Sequence, residues 1–225
     1  MDPLLSIPLS LAASLFWLWV IARHDDHERE PWYLVALAMA AGAASTAGVL
    51  WLRPLLEGWL LPAPAWFEVF VVTAAAEEAW KLLAFLPLLM LRELDEPLDG
   101  AVYGAAVGLG FAAVENWHYA AQLDDCGLLL QRASTATLLH AATTGCCGLC
   151  FAEGKLRRFG LSTGAWVAFG LAIAIGGHGG YDLFLGGERS QALVSLLVVL
   201  PLAIGLLAMK VHWARSRSHH FHPRR

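Results

Sequence analysis

Glu77, Glu78 and Lys81 stand near the middle of residues 66–91, a 26-residue stretch whose other members are almost all apolar. Carboxylates beside an amine are the groups of general acid–base chemistry. At a transmembrane helix centre they cost about 2.5–3.5 kcal/mol each, or about 8–10 kcal/mol together. The twelve Leu, Val and Phe residues of the stretch return about 4–7 kcal/mol at about 0.3–0.6 each. Such a helix is marginal alone and needs neighbours that supply polar partners. An intramembrane carboxylate pair is for that reason a functional site first and a structural element second.

Few other ionisable or strongly polar groups interrupt the apolar segments: Glu115, Asn116, His118, Arg132, His140, His178 and Asp182, with Glu68 and Asp99 at segment ends. At 1.5 Å of rise per residue, Glu77 lies about 17 Å from the outer end of its segment, His140 about 18 Å, His178 about 12 Å and Glu115 about 9 Å. Four helices thus offer a polar group within about 10 Å of one another in depth, and one shared site accounts for all four. Residues four apart share a helix face, which places Glu77 over Lys81 and His178 beside Asp182. Gly176, Gly177, Gly179 and Gly180 frame His178. Four glycines around one histidine suggest an open cavity as well as close packing.

Composition sets the class. With 58% hydrophobic residues, 15% charged residues and a mean hydropathy of +0.56, the chain falls outside the soluble globular range. Apolar segments at 3–22, 32–52, 66–91, 98–121, 128–152, 162–186 and 191–210 are each long enough for a bilayer core. The expected fold is an all-α, polytopic bundle of about seven transmembrane helices forming a single domain over 1–225. No alternating strand pattern suggests a barrel. The first segment has no basic residues before it and Arg23 and Arg29 after it, which predicts an uncleaved anchor with the N-terminus outside. Alternating the segments gathers Arg23, Arg29, Arg92, Lys155, Arg157, Arg158, Lys210, Arg215, Arg217, Arg224 and Arg225 on one side, against Arg53, Arg132 and Arg189 on the other. The basic side is cytoplasmic, and so is the C-terminus.

Some features carry no chemistry in this reading. Cys146, Cys147 and Cys150 sit among Ala, Gly, Thr and Leu and read as small buried thiols, and Cys126 falls in an outer loop. Gly104 and Gly108 make a pair spaced for close helix approach. The tail 211–225, basic and rich in histidine, with His219, His220, His222, Arg224 and Arg225, reads as a solvated cytoplasmic extension.

Taken together, these motifs resemble the PrsW family of intramembrane proteases, related to the type II CAAX prenyl endopeptidases. Three family motifs occur in order: EExxK as Glu77-Glu78-Ala79-Trp80-Lys81, FxxxE as Phe111 to Glu115, and HxxxD as His178 to Asp182. Glu30-Pro31, Asp99-Gly100, Glu115-Asn116 and Arg132 ahead of His140 extend the likeness over residues 23–186. The CAAX-type relatives carry a histidine where this chain has Glu115, so their site does not transfer whole.

The resemblance implies peptide hydrolysis at or within the bacterial plasma membrane. It also implies a membrane-protein substrate such as an anti-sigma factor, no nucleic-acid partner, and an oligomeric state left open. Two routes to an activated water fit the residues. In one, Glu115, His140 and His178 hold Zn²⁺ and leave a fourth position for water, Glu77 is the base, Lys81 tunes it, and Asp182 orients His178. In the other, no metal takes part: Glu77 with Glu115 polarises the water, and His178 with Asn116 stabilises the oxyanion. The crowding of Glu77, Glu78, Glu115 and Asp182 favours the metal. A proton- or cation-coupled transporter and a binding protein without activity are the alternatives from other classes. Glu78 has the least defined role.

Overall fold

A computed structural model describes residues 3–23, 29–123, 126–156 and 162–221. Arg157, Arg158, His222, Arg224 and Arg225 lie outside the described residues, and the side chains of Cys126, Arg215, Arg217, His219 and His220 are not described. Among the described residues every regular element is helical: α1 (Pro3–Ala22), α2 (Trp32–Leu60), α3 (Ala65–Phe67), α4 (Ala75–Phe85), α5 (Pro97–Leu123), α6 (Cys126–Ser134), α7 (Ala136–Leu156), α8 (Thr163–Leu185), α9 (Arg189–Val194) and α10 (Leu200–Phe221). Wider π turns, Glu68–Ala74 and Ser195–Val199, join α3 to α4 and α9 to α10, and a 3₁₀ turn, Leu86–Met90, ends α4. Among the described residues, five helices are long and apolar enough to cross a membrane: Trp32–Leu60, Pro97–Gln122, Gly127–Leu156, Thr163–Leu185 and Arg189–Ala214. The chain is an all-helical integral membrane protein.

The helix boundaries differ from expectation in four places. α2 does not stop at residue 52 but continues through Pro54 to Leu60, since a proline inside a membrane helix is tolerated when neighbouring groups re-satisfy the freed carbonyl. Residues 66–91 form a composite of α, π and 3₁₀ turns, a variation that hydropathy cannot register. Cys126 opens α6 instead of lying in a loop, and a break at Thr135 separates α6 from α7. The start of the tail continues α10 as helix up to Phe221.

α5 is the centre of the bundle. Tyr103, Ala105, Ala106, Val107 and Leu109 are fully enclosed, while the periphery exposes Trp32, Trp59, Leu197, Leu202 and Phe16 to the lipid side. Lipid is as apolar as leucine, so small residues that admit close backbone contact hold such helices together. A Cβ on Gly100 would strike Gly148 O, on Gly104 it would strike Thr144 O, and on Gly108 it would strike His140 O. Those three positions run down one face of α5 against α7. Gly110 and Gly42 seal the opposite side, each lying against the other helix's backbone, at Met39 O and Val107 O. α1 covers the α5–α7 seam with Trp17, Leu18 and Ile21, and Trp17 Nε1 donates to Ala133 O at 2.8 Å.

α4 is held by three contacts. Trp80 lies over Gly48 of α2, Phe85 meets Phe151 of α7 edge to face at 5.4 Å, and Phe70 of the π turn rests on Gly179 of α8. Below it, Lys155 donates to Leu91 O and Leu94 O, both at 2.7 Å, and clamps the connection into α5. α8 starts on a Ser162 cap that accepts from Ala165 N, which fixes its register before His178.

Candidate active site

α4, α5, α7 and α8 bring Glu77, Glu78, Lys81, Glu115, His140, His178 and Asp182 to one centre. The three groups of α4 differ in their engagement. Lys81 is fully buried; its Nζ donates to Glu78 Oε1 at 2.8 Å, lies 2.8 Å from His140 Nδ1, and sits 4.1 Å from the centroid of the Phe111 ring. Glu77 Oε2 is more distant, at 3.9 Å from the ammonium. The face argument from the sequence paired Lys81 with Glu77; the nearer partner is Glu78, because on a helix both i+3 and i+4 neighbours share the face.

His178 is oriented by carboxylates on both sides. Nδ1 lies 2.9 Å from Glu78 Oε1, so the N–H there points at Glu78 and Nε2 points at Asp182 Oδ2, 3.2 Å away, and at Glu77 Oε2, 3.7 Å away. Glu77 Oε2 is buried and has no hydrogen-bond donor. Three carboxylates thus converge on one imidazole, an arrangement that calls for positive charge among them.

Glu115 is turned toward a different partner. Arg132 Nη2 donates to its Oε2 at 2.5 Å, and the same oxygen is 2.9 Å from His140 Nε2. Arg132 Nε donates to Asn116 Oδ1 at 2.7 Å, its guanidinium stacks on Tyr119 at 4.2 Å, and Asn116 Nδ2 donates to Thr137 Oγ1 at 2.8 Å. Asn116 is therefore a strut between α5, α6 and α7. The sequence reading gave Arg132 and Thr137 no role at the site. Arg132 could have been found as the one basic residue facing Glu115 in depth, whereas nothing in the sequence singles out Thr137. His118 pairs with Gln122, at 2.9 Å near the end of α5. Cys146, Cys147 and Cys150 are buried free thiols.

Glu77, His140 and His178 offer ligand atoms within 4.8 Å of one another, all three residues being buried. Two imidazoles and a carboxylate are a known catalytic zinc set, and the donor-free Glu77 Oε2 faces into it, so these residues fit a divalent ion. Glu115, the expected third ligand, sits instead with Arg132.

Helices that wholly enclose carboxylates and imidazoles define a membrane protein with its polar chemistry inside the bundle. The chain belongs to the PrsW family: residues 30–207 match the family described as "PrsW family intramembrane metalloprotease". It is similar to proteins named Protease PrsW from Geobacillus kaustophilus, at 31% identity over 73% of each chain, and from Bacillus subtilis, at 27% over 72% of this chain and 73% of the relative. A third from Clostridioides difficile is 26% identical over 88% of this chain and 85% of that one. No solved structure matches the chain.

Proposed function

We propose that the chain is an intramembrane endopeptidase that hydrolyses peptide bonds of membrane-protein substrates, with Glu77 as the group that activates water. The observation that carries this is Glu77 Oε2, buried without a donor and 3.7 Å from His178 Nε2. A carboxylate oxygen kept free of hydrogen bonds beside an imidazole can accept a proton from a water; with an ion bound, the same oxygen would instead be one of its ligands and the ion would activate the water. Asp182, whose side chain is 31% exposed, holds the His178 ring at the open edge of the centre. Family membership supports peptide hydrolysis over transport.

Metal assistance is part of this reading. Glu77, His140 and His178 would hold the ion, with Zn²⁺ the best match to the donor set. When bound, it would supply Lewis acidity toward a water or a peptide carbonyl. Four carboxylates, Glu77, Glu78, Glu115 and Asp182, face two basic side chains, Lys81 and Arg132, which supports a further positive charge in the centre. Glu78 holds His178 and Lys81 in place, and Arg132 with Asn116 holds Glu115.

In the same reading α1 and the composite helix of residues 65–90 complete seven crossings in a bacterial plasma membrane. The N-terminus is outside, the C-terminus is cytoplasmic, and the core of residues 23–186 faces single-span regulators of the anti-sigma type. The test is cleavage of a transmembrane peptide by the purified protein in detergent. Wild type cleaves and Glu77→Gln loses about 10²–10⁴-fold in rate. Equal rates would overturn the role of Glu77, and ion flux without cleavage would favour a transporter.

A further inference from the structure

We infer that Lys81 is the resident cation of the centre and competes with the metal for His140. This rests on the metal-assisted reading above and adds a loading step to it. An ammonium has donors only, so at 2.8 Å from Lys81 Nζ the His140 Nδ1 accepts and the ring proton sits on Nε2, where it faces Glu115 Oε2 at 2.9 Å. A neutral imidazole has one lone pair to give. In this arrangement Lys81 holds it, and both nitrogens of His140 are engaged.

His178 differs. Its Nδ1 faces Glu78 and its Nε2 faces carboxylate oxygens, so Nε2, once free of a proton, can ligate without the ring turning. The same holds for Glu77 Oε2. Two of the three members are thus ready for an ion, and the third is occupied by a lysine with 0% exposure. Ligation by His140 Nδ1 and its hydrogen bond from Lys81 exclude each other. Glu78, 2.8 Å from Nζ, and the Phe111 ring, 4.1 Å away, give the ammonium somewhere to stay when it releases His140. At His140 one hydrogen bond opens, and one coordinate bond forms in its place.

The geometry also gives a reason for the lysine. Without metal, its positive charge compensates Glu78 and approaches Glu77 at 3.9 Å, so the buried carboxylates are not left without a counter-charge.

The experiment measures the affinity of the detergent-purified protein for Co²⁺ and Zn²⁺ against a competing chelator, with Lys81→Met, Lys81→Gln and Glu77→Gln beside wild type. Lys81→Met binds about ten-fold or more tightly, because a repelling charge and a competing donor are both gone, and Lys81→Gln falls between. A Lys81 variant with unchanged or weaker affinity overturns the inference. If wild type binds neither ion, or Glu77→Gln binds as well as wild type, the metal reading fails first. Should the lysine variants not fold, ¹⁵N-lysine NMR of wild type decides: the Lys81 Nζ resonance shifts when Zn²⁺ is added and stays fixed in Glu77→Gln. A fixed resonance with metal bound to wild type overturns the inference equally.

Discussion

His140 and His178, from two different helices, meet edge to face with ring centroids 4.9 Å apart and planes at 87°. Each ring has its own set of carboxylates, Glu115 for His140 and Glu77, Glu78 and Asp182 for His178. The pair is therefore the hinge between two polar networks, one built on α5, α6 and α7 and the other on α4 and α8.

Elemental analysis separates the roles of the carboxylates. Purified wild type carries near-stoichiometric zinc; Glu77→Gln, His140→Ala and His178→Ala lose it; Glu115→Gln retains it, because Glu115 is committed to Arg132. Retention in Glu77→Gln with loss in Glu115→Gln would restore Glu115 as the third ligand.

Arg132→Gln leaves Glu115 without its guanidinium and Asn116 Oδ1 without its donor. With side chains only 13% and 17% exposed, the loss is about 3 kcal/mol, near the lower end for a broken buried pair. Thermal melting in detergent shows it as a lower midpoint. The double variant Arg132→Gln with Glu115→Gln recovers most of the loss, since no uncompensated charge remains.

Glycines around the site divide into two kinds. Gly108→Ala drives a methyl into His140 O, a backbone atom that cannot rotate away, and both the melting midpoint and the cleavage rate fall. Gly176→Ala meets nothing within 4 Å and changes stability by less than about 0.5 kcal/mol. Equal effects at the two positions would contradict the packing described.

Gly179→Ala collides with the Phe70 ring, beside His178. Cleavage drops in the single variant and returns in Gly179→Ala with Phe70→Leu, because a smaller, flexible side chain can move off the new methyl. Lack of rescue would mean that Gly179 serves something other than this contact.

Charge in an apolar run is costly wherever it lies, which is why Glu77, Glu78, Lys81, His140 and His178 were legible as one site from sequence and depth alone. Partner choice within the site was not. The sequence places Glu77 and Glu78 on nearly the same face as Lys81, and the partners on other helices, His140 at Lys81 and His178 at Glu78, accompany side-chain conformations that put Glu78 at 2.8 Å and Glu77 at 3.9 Å. Separately, the π turn Glu68–Ala74 ahead of α4 shifts the phase of the chain by its i→i+5 pattern with no mark in hydropathy. Alternation of the segments puts Arg132 on the outer side, but its contact with Glu115 comes from α6, which a break at Thr135 separates from α7 and which the continuous apolar run conceals.

The glycine face of α5 against α7 has a mechanical consequence. Where Gly100, Gly104 and Gly108 touch the backbone of α7, there are no side chains to compress or swing aside, so these two helices form an anvil that keeps its shape. Glu115 and His140 are fixed to the anvil, while Glu77, Glu78 and His178 arrive on α4 and α8. The Glu77–His178 approach is thus set by how α4 and α8 seat against that fixed pair.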